Sequence, residues 1–466
     1  MSAMKDDTFK VVSPFDLSEL DSLRYHNADD VENCLSSAAA LAAGKPLPVW
    51  RRVEILEKVV YKLNDQLDEF ADTIAKEGGK PLRDALVEAG RAVDGIKNAI
   101  EVLHSEQGTS VPMGINPASS HRLAFTTREP IGVVAAISAF NHPLNLIVHQ
   151  VVPAVAVGCP VIVKPAAATP LSCLNFVYLL HKCGLPEEWC RVLLLSNENS
   201  EALVTDSRVD FFSFIGSSRV GWYLRSKLAP GTRCALEHGG AAPVIVEADA
   251  NLDSIVPALV KGGYYHAGQV CVSVQRIFAH SSIVEELQDR MVDEIKTLKT
   301  GDPVLPTTDV GPLILPREVD RVEEWVQEAI SMGAKVVTGG NRISDTCFEP
   351  TLLRDAPQEA KVSQMEIFGP VITLMAFDHM ENAIEQANSL PVAFQASIFT
   401  QDIDQAMAAA RGLNASAVMI NDHSAFRVDW MPFAGRKTSG LGIGGIPYTM
   451  QDMTQEKMIV FKSPAL

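Results

Sequence analysis

The sequence predicts an α/β fold built on parallel sheets, and three observations carry that expectation. From residue 131 onward, short apolar runs (132–138, 160–164, 191–195, 211–215 and 242–246) alternate with helix-length segments. Runs apolar along their whole length suit strands covered on both faces, as in a parallel sheet. The chain has 466 residues, too many for one ordinary core, so two or three domains are expected. Finally, 47% hydrophobic and 21% charged residues is the balance of a soluble globular protein.

Taken in order, residues 29–109 read as helical. Asp29-Asp30 starts a helix that Pro46-Leu47-Pro48 ends, and residues 51–77 carry Ile55, Leu56, Val59, Leu63, Leu67, Phe70 and Ile74 at helical spacing. Pro81 opens another helix, with Leu82, Ala85, Leu86, Ala89, Val93, Ile96 and Ile100 as its apolar stripe. No chemistry is visible in this region, and its charges read as solvated faces. Residues 110–120 are turn-rich. Residues 121–128 suggest a strand outside the main core, a candidate for pairing with the C-terminal strand or another subunit. Beyond them, 144–157 and 171–183 read as helices. Gly216 to Gly221 follows a strand and opens a helix, where backbone N–H groups and the Ser217 hydroxyl could hold a phosphate, or simply make a tight turn. A second strand-helix series runs to about 420, with a helix at 283–298 and strands at 334–338 and 371–376. Residues 433–442 read as a long glycine-rich turn and 456–462 as a strand. Ligands of such a sheet are expected at the carboxyl ends of its strands.

Charge narrows the partners. Forty basic against 57 acidic side chains give a net charge of −17, which disfavours nucleic acid and anionic membranes. Residues 1–7 lack the pattern of a signal peptide. The most apolar region, 131–163, is interrupted by Asn141, His142, Pro143, Asn145, His149 and Pro153, so it is not read as a membrane span. The eight cysteines form no CxxC pair and no metal-ligand spacing, so a reduced, cytoplasmic and metal-free protein is expected.

The stretch His266-Ala-Gly-Gln-Val-Cys271-Val-Ser273 joins a helix-compatible segment to a strand-like run, a setting that can present a thiol as a nucleophile. Asn141 stands after a buried strand, in Ala139-Phe140-Asn141-His142-Pro143, and Lys164 ends another. Glu237 lies in Leu236-Glu237-His238-Gly239-Gly240, 34 residues before Cys271 (271 − 237), and Glu366-Ile-Phe368-Gly-Pro370 comes later. Read alone, Cys271 fits a small buried hydrophobe, Glu237 an ion-paired surface carboxylate and Asn141 a turn or cap residue. Together, in this order and spacing, the motifs resemble the aldehyde dehydrogenase superfamily from about residue 30 to the end.

The residue types suit that chemistry. A soft thiolate, Cys271, can add to an aldehyde; Asn141 and the N–H of Cys271 can hold the oxyanion; Glu237 can activate the water that hydrolyses the thioester. The resemblance implies that Lys164 and Glu366 hold the ribose groups of NAD or NADP, Gly216 and Ser217 the pyrophosphate, and Phe140 and Phe368 the nicotinamide end; Ser138 belongs to the same cofactor set. It also implies two Rossmann-like parallel-sheet domains and a small oligomerisation arm. The cofactor-binding domain would comprise 1–118 and 131–238, the catalytic domain 239–447, and the arm 119–130 and 448–466, giving a homodimer or homotetramer. Ala167 stands where NAD-preferring relatives often carry Glu, which leaves NADP open, and His238 replaces the usual Leu. The motif strings are most similar to the branch acting on small polar or anionic aldehydes: lactaldehyde, non-phosphorylating glyceraldehyde-3-phosphate, phosphonoacetaldehyde and succinate semialdehyde dehydrogenases. Val270 is not the arginine associated with phosphate and phosphonate substrates. Arg427 could bind a substrate carboxylate or phosphate, or equally form a structural salt bridge with Asp429 or another acid. His142 is a further candidate substrate contact. The rival readings are a CoA-acylating aldehyde dehydrogenase, disfavoured by Glu237, a cofactor-independent cysteine hydrolase, and a non-catalytic scaffold.

Overall fold

Along the strand Val133–Ile137, Val134 and Ala136 point into one apolar cluster, and Val133, Ala135 and Ile137 into another. This two-residue alternation, apolar on both faces, places the strand at the centre of a covered sheet. The computed structural model describes residues 8–105 and 108–466. The signal-peptide reading of residues 1–7 lies outside them.

The first sheet runs in the order Gly440–Leu441, Arg233–Glu237, Val209–Ile215, Val133–Ile137, Val161–Lys164, Cys190–Val192. All pairs are parallel except the first. From the central Val133–Ile137, the chain first adds strands on one side and then on the other. This creates a switch point between Val133–Ile137 and Val209–Ile215, where a crevice opens at the carboxyl ends. The helices Val49–Asp65, Leu82–Ser105 and the wholly buried Asn145–Val157 pack on one face.

The second sheet has the order Lys335–Thr338, Thr351–Arg354, Val371–Phe377, Val274–His280, Ala242–Val246, Gln395–Phe399, Ala417–Ile420, parallel apart from its first pair. A third sheet pairs Thr454–Lys462 with Arg122–Pro130 over nine residues, with Ser110–Val111 on the far side. The strand expected near 121–128 thus does pair with the C-terminal strand. No helix among the described residues is long and apolar enough to cross a membrane.

Several expectations need correction. The helix expected over 51–77 is two, Val49–Asp65 and Leu67–Gly78, broken where Gln66 leaves helical geometry at φ −111°, ψ 18°. Leu86, assigned to an apolar stripe, is exposed. The strand expected at 191–195 is only Cys190–Val192. The glycine-rich stretch 433–442 is not one turn: Arg436–Lys437 pairs with Val392–Ala393, and Gly440 pairs with Glu237. An N-terminal hairpin, Thr8–Val12 with Glu19–Arg24, was not anticipated. Nor are the charges of the early helices all solvated: Glu77, Lys80 and Glu88 are fully buried. Glu77 caps the helix Leu171–Lys182 by accepting from the N–H groups of Leu171 (2.7 Å) and Ser172 (2.8 Å).

Candidate active site

The carboxyl ends of the first sheet deliver most of the expected cofactor residues. Ser138 and Phe140 follow Ile137, Lys164 ends its strand, Gly216 and Ser217 follow Ile215, and Glu237 ends its strand. Cys271 arrives differently. It precedes the strand Val274–His280, so the second sheet contributes its amino ends. The carboxyl-end rule therefore holds for the first sheet alone. A cavity of about 550 Å³ lies between the two sheets, and Asn141, Cys271, Glu237, His142 and Arg427 line it together with the whole cofactor set.

The turn before Cys271 is strained. His266 and Ala267 have φ of 48° and 54°, followed by Gly268 at 71°. Each left-handed non-glycine residue costs on the order of 1–3 kcal/mol, a cost borne only where the surroundings fix the backbone. Here they do. The Gln269 amide donates to Pro312 O (3.2 Å) and accepts from Ile314 N (2.9 Å), and Ser424 Oγ donates to Val272 O (2.8 Å). A Cβ on Gly268 would meet Gly369 O at 2.1 Å, so only glycine fits. Asn141 Nδ2 donates to Gln269 O at 2.9 Å, which ties the amide to this same turn. That bond uses one N–H of the amide and leaves the second.

Burial pushes the Cys271 thiol up to about 12, with the Arg427 charge opposing it. Burial likewise raises Glu237, again against Arg427. Both groups are thus biased toward their proton-bearing forms. Glu366 is pushed up to about 8 by burial, and its Oε1 has no protein partner. A Cβ on Gly239 would sit 1.7 Å from that oxygen, so this glycine makes room for the carboxylate. Ser138 Oγ is also buried without a partner, and burial lowers Lys164, which has no ion pair among the described residues. Phe140 and Phe368 meet edge to face at 5.8 Å. These orphaned polar groups, with the N-terminus of the helix Ser218–Arg225, fit the ribose diols and pyrophosphate of a nicotinamide dinucleotide. Ala166 and Ala167 line the same end and place no carboxylate there.

At the other end, burial and the Lys80 and Arg91 charges hold His142 well below its ordinary range, so it is neutral. Its Nε2 lies 3.4 Å from the Tyr265 hydroxyl. Arg427 forms no salt bridge with Asp429. That carboxylate accepts from Arg91 at 2.7 and 3.1 Å, from Asn145 Nδ2 at 3.0 Å and from His149 Nε2 at 2.7 Å. Arg427 instead lies over the Phe433 ring at 3.5 Å, and its Nε is buried without a partner. Arg91, also in the cavity lining, escaped the sequence reading. Its helix position looks like any other charged face until the fold turns it toward the cavity.

The chain matches the model of the aldehyde dehydrogenase family over residues 2–459. It is 38% identical over 433 residues to a 3-sulfolactaldehyde dehydrogenase of Priestia aryabhattai, covering 93% of this chain and 90% of that protein. Aldehyde dehydrogenase 21 from Physcomitrella patens, solved with the reaction product succinate, superposes with a TM-score of 0.95 at 34% identity, over 98% of this chain and 95% of that one. A glyceraldehyde-3-phosphate dehydrogenase from Methanocaldococcus jannaschii, complexed with NADP, gives a TM-score of 0.93 at 34% identity, covering 98% and 99%. Parallel-sheet architecture, a thiol, an amide and a carboxylate around one cavity, and this match along the chain agree: the protein belongs to the aldehyde dehydrogenase family.

Proposed function

We propose that this NAD(P)-dependent aldehyde dehydrogenase oxidises a small aldehyde bearing a carboxylate or sulfonate, with Cys271, Asn141 and Glu237 as its catalytic residues. Cys271, protonated at rest with its thiol pushed up to about 12, adds to the aldehyde carbon as its proton passes to the Glu237 carboxylate in the same cavity and on to solvent before hydrolysis. The free N–H of Asn141 and the Cys271 backbone N–H stabilise the oxyanion. When bound, NAD(P)+ supplies the two-electron acceptor that turns the adduct into a thioester. Glu237 then takes a proton from the water that attacks this thioester, releasing the acid and restoring the thiol. Ser138, Lys164, Glu366, Gly216, Ser217, Phe140 and Phe368 orient the dinucleotide. The residues at the adenosine end, Ala167 among them, leave both NAD and NADP admissible.

One observation carries the substrate class. Arg427 places a guanidinium with an unpartnered Nε in the cavity that holds the thiol, whereas the charge of Arg91 is engaged by Asp429. The sulfolactaldehyde and succinate named for the relatives carry the same kind of anionic group. The test follows the absorbance of reduced cofactor with anionic and neutral small aldehydes and either cofactor, with Cys271→Ala as control. Replacing Arg427 by Ala should lower kcat/KM for anionic aldehydes by roughly 10–100-fold relative to neutral ones, as loss of a charge-assisted hydrogen bond implies. An equal loss on both sink the anionic reading.

The domain division given by the sequence (1–118 with 131–238, then 239–447, with 119–130 and 448–466 as the arm) belongs to the same proposal and is supported by the three sheets, apart from Gly440–Leu441, which joins the first sheet although it lies within 239–447. A homodimer or homotetramer is supported by the largely exposed edge strand 454–462, paired with the half-buried strand 122–130. A reducing cytoplasm is supported by the eight cysteines, none of them disulfide-bonded.

A further inference from the structure

We infer that His149, on the buried helix Asn145–Val157, is a positioning residue that holds Arg427 in its substrate-binding orientation without neutralising it. The inference rests on the reading of Arg427 as the anion-binding group. Its basis is a hydrogen-bonded chain with one consistent arrangement of protons. Asp429 accepts only, so His149 Nε2, at 2.7 Å, must carry the hydrogen. Arg427 donates only, so His149 Nδ1, 3.3 Å from Arg427 Nη2, must be the bare acceptor. Both neighbours select the same neutral tautomer. Burial and the Arg427 charge keep the ring in that state by lowering it to about 4, against the opposing pull of Asp429.

The placement matters because of what lies on either side. Were Asp429 bonded directly to Arg427, the two would form a closed ion pair with little charge left for a substrate. Instead the neutral imidazole stands between them, and Asp429 spends its charge on Arg91, which it grips with both oxygens. Burial raises the Asp429 carboxyl, but the bond from His149 and the Arg91 guanidinium outweigh that and hold it well below the usual carboxylate range. Phe433 fixes one face of the Arg427 guanidinium at 3.5 Å and His149 fixes its rotation about that face. The charged and titratable groups that face Arg427 include Glu237, Arg91, Asp429 and the Cys271 thiol, and among the described residues its hydrogen bond is to His149. A cation held by a neutral acceptor retains its field, and a preset orientation spares the entropy of ordering a long side chain on binding.

Three substitutions separate the two ends of the imidazole. Asn reproduces an acceptor near Nδ1, Gln a donor near Nε2, and Phe neither. The measured quantity is the ratio of kcat/KM for an anionic aldehyde to that for a neutral aldehyde of similar size, with KM and kcat resolved. His149→Phe and His149→Gln should lower this ratio at least fivefold, chiefly through KM for the anionic substrate, and His149→Asn should recover most of it. Arg427→Ala, run in parallel, tests the underlying reading. If Arg427→Ala lowers the ratio and folded His149→Phe and His149→Gln do not, the positioning role is wrong. If Arg427→Ala leaves the ratio unchanged, the anion-binding reading itself is wrong. A Gln variant that recovers the ratio better than Asn would also overturn the inference, since it would place the working contact at Asp429.

Discussion

Glu237 and Cys271 line the same cavity, and burial raises both. The base works only when deprotonated, so its raised pKa moves the acid limb of the rate profile above the usual glutamate range near about 4.3. Turnover should therefore fall on acidification at a pH where an exposed glutamate would still be charged. Glu237→Gln should give a burst of about one reduced cofactor per active site and then a steady rate lowered by roughly 10²–10⁴-fold. If full steady turnover persists in that variant, Glu237 is not the hydrolytic base. At this scale the sequence was informative where chemistry follows chain order. Asn141 and Lys164 follow or end strands whose apolar runs announce them, whereas Glu237, Cys271 and Glu366 are legible only as members of an ordered set of motifs. Arg91 and His149 were invisible for opposite reasons. A charged residue on an amphipathic helix resembles every other solvated charge, and a histidine in an apolar helix resembles an interruption. Which face of a helix turns toward the cavity is decided by packing between segments far apart in the chain.

Elements hold these residues in place through buried charge. Glu88, on the helix Leu82–Ser105, accepts from the N–H groups of Leu144 (3.0 Å) and Asn145 (3.1 Å) and pairs with the fully buried Lys80. It thereby caps the helix that begins directly after the Asn141 turn. Glu88→Ala would strand the Lys80 charge and two backbone donors, a loss of about 3–5 kcal/mol for breaking a buried pair. Denaturant unfolding should show that loss, and a stability within about 1 kcal/mol of the parent would refute the capping role. The sequence displayed the apolar stripes that built these helices but not the break at Gln66, because the stripe continues in register across it. The short strand Gly440–Leu441 also escaped notice, since two residues carry no periodicity.

For the whole molecule, the C-terminal strand Thr454–Lys462 forms the outer edge of its three-stranded sheet. It exposes Met458, Val460 and Phe461, and Leu123 is exposed on the neighbouring strand. An edge of this length with apolar side chains is a template for pairing with a second chain. Light scattering should report an oligomer for the parent and smaller species for a Met458→Lys, Val460→Lys variant; an unchanged mass would move the interface elsewhere. The sequence suggested this ribbon through its alternation and its position outside the core, but pairing between its strands spans more than 300 residues and no local pattern fixes its register. The thiols carry a different consequence. All eight, Cys271 included, are shifted upward by burial. Peroxides and alkylating agents attack the thiolate rather than the thiol. Burial thus favours the less reactive thiol form in the idle enzyme, and the interval in which Cys271 loses its proton during turnover is the interval in which it is most open to damage. Oxidative wear on this protein should scale with the aldehyde it has processed rather than with time spent in an oxidising medium.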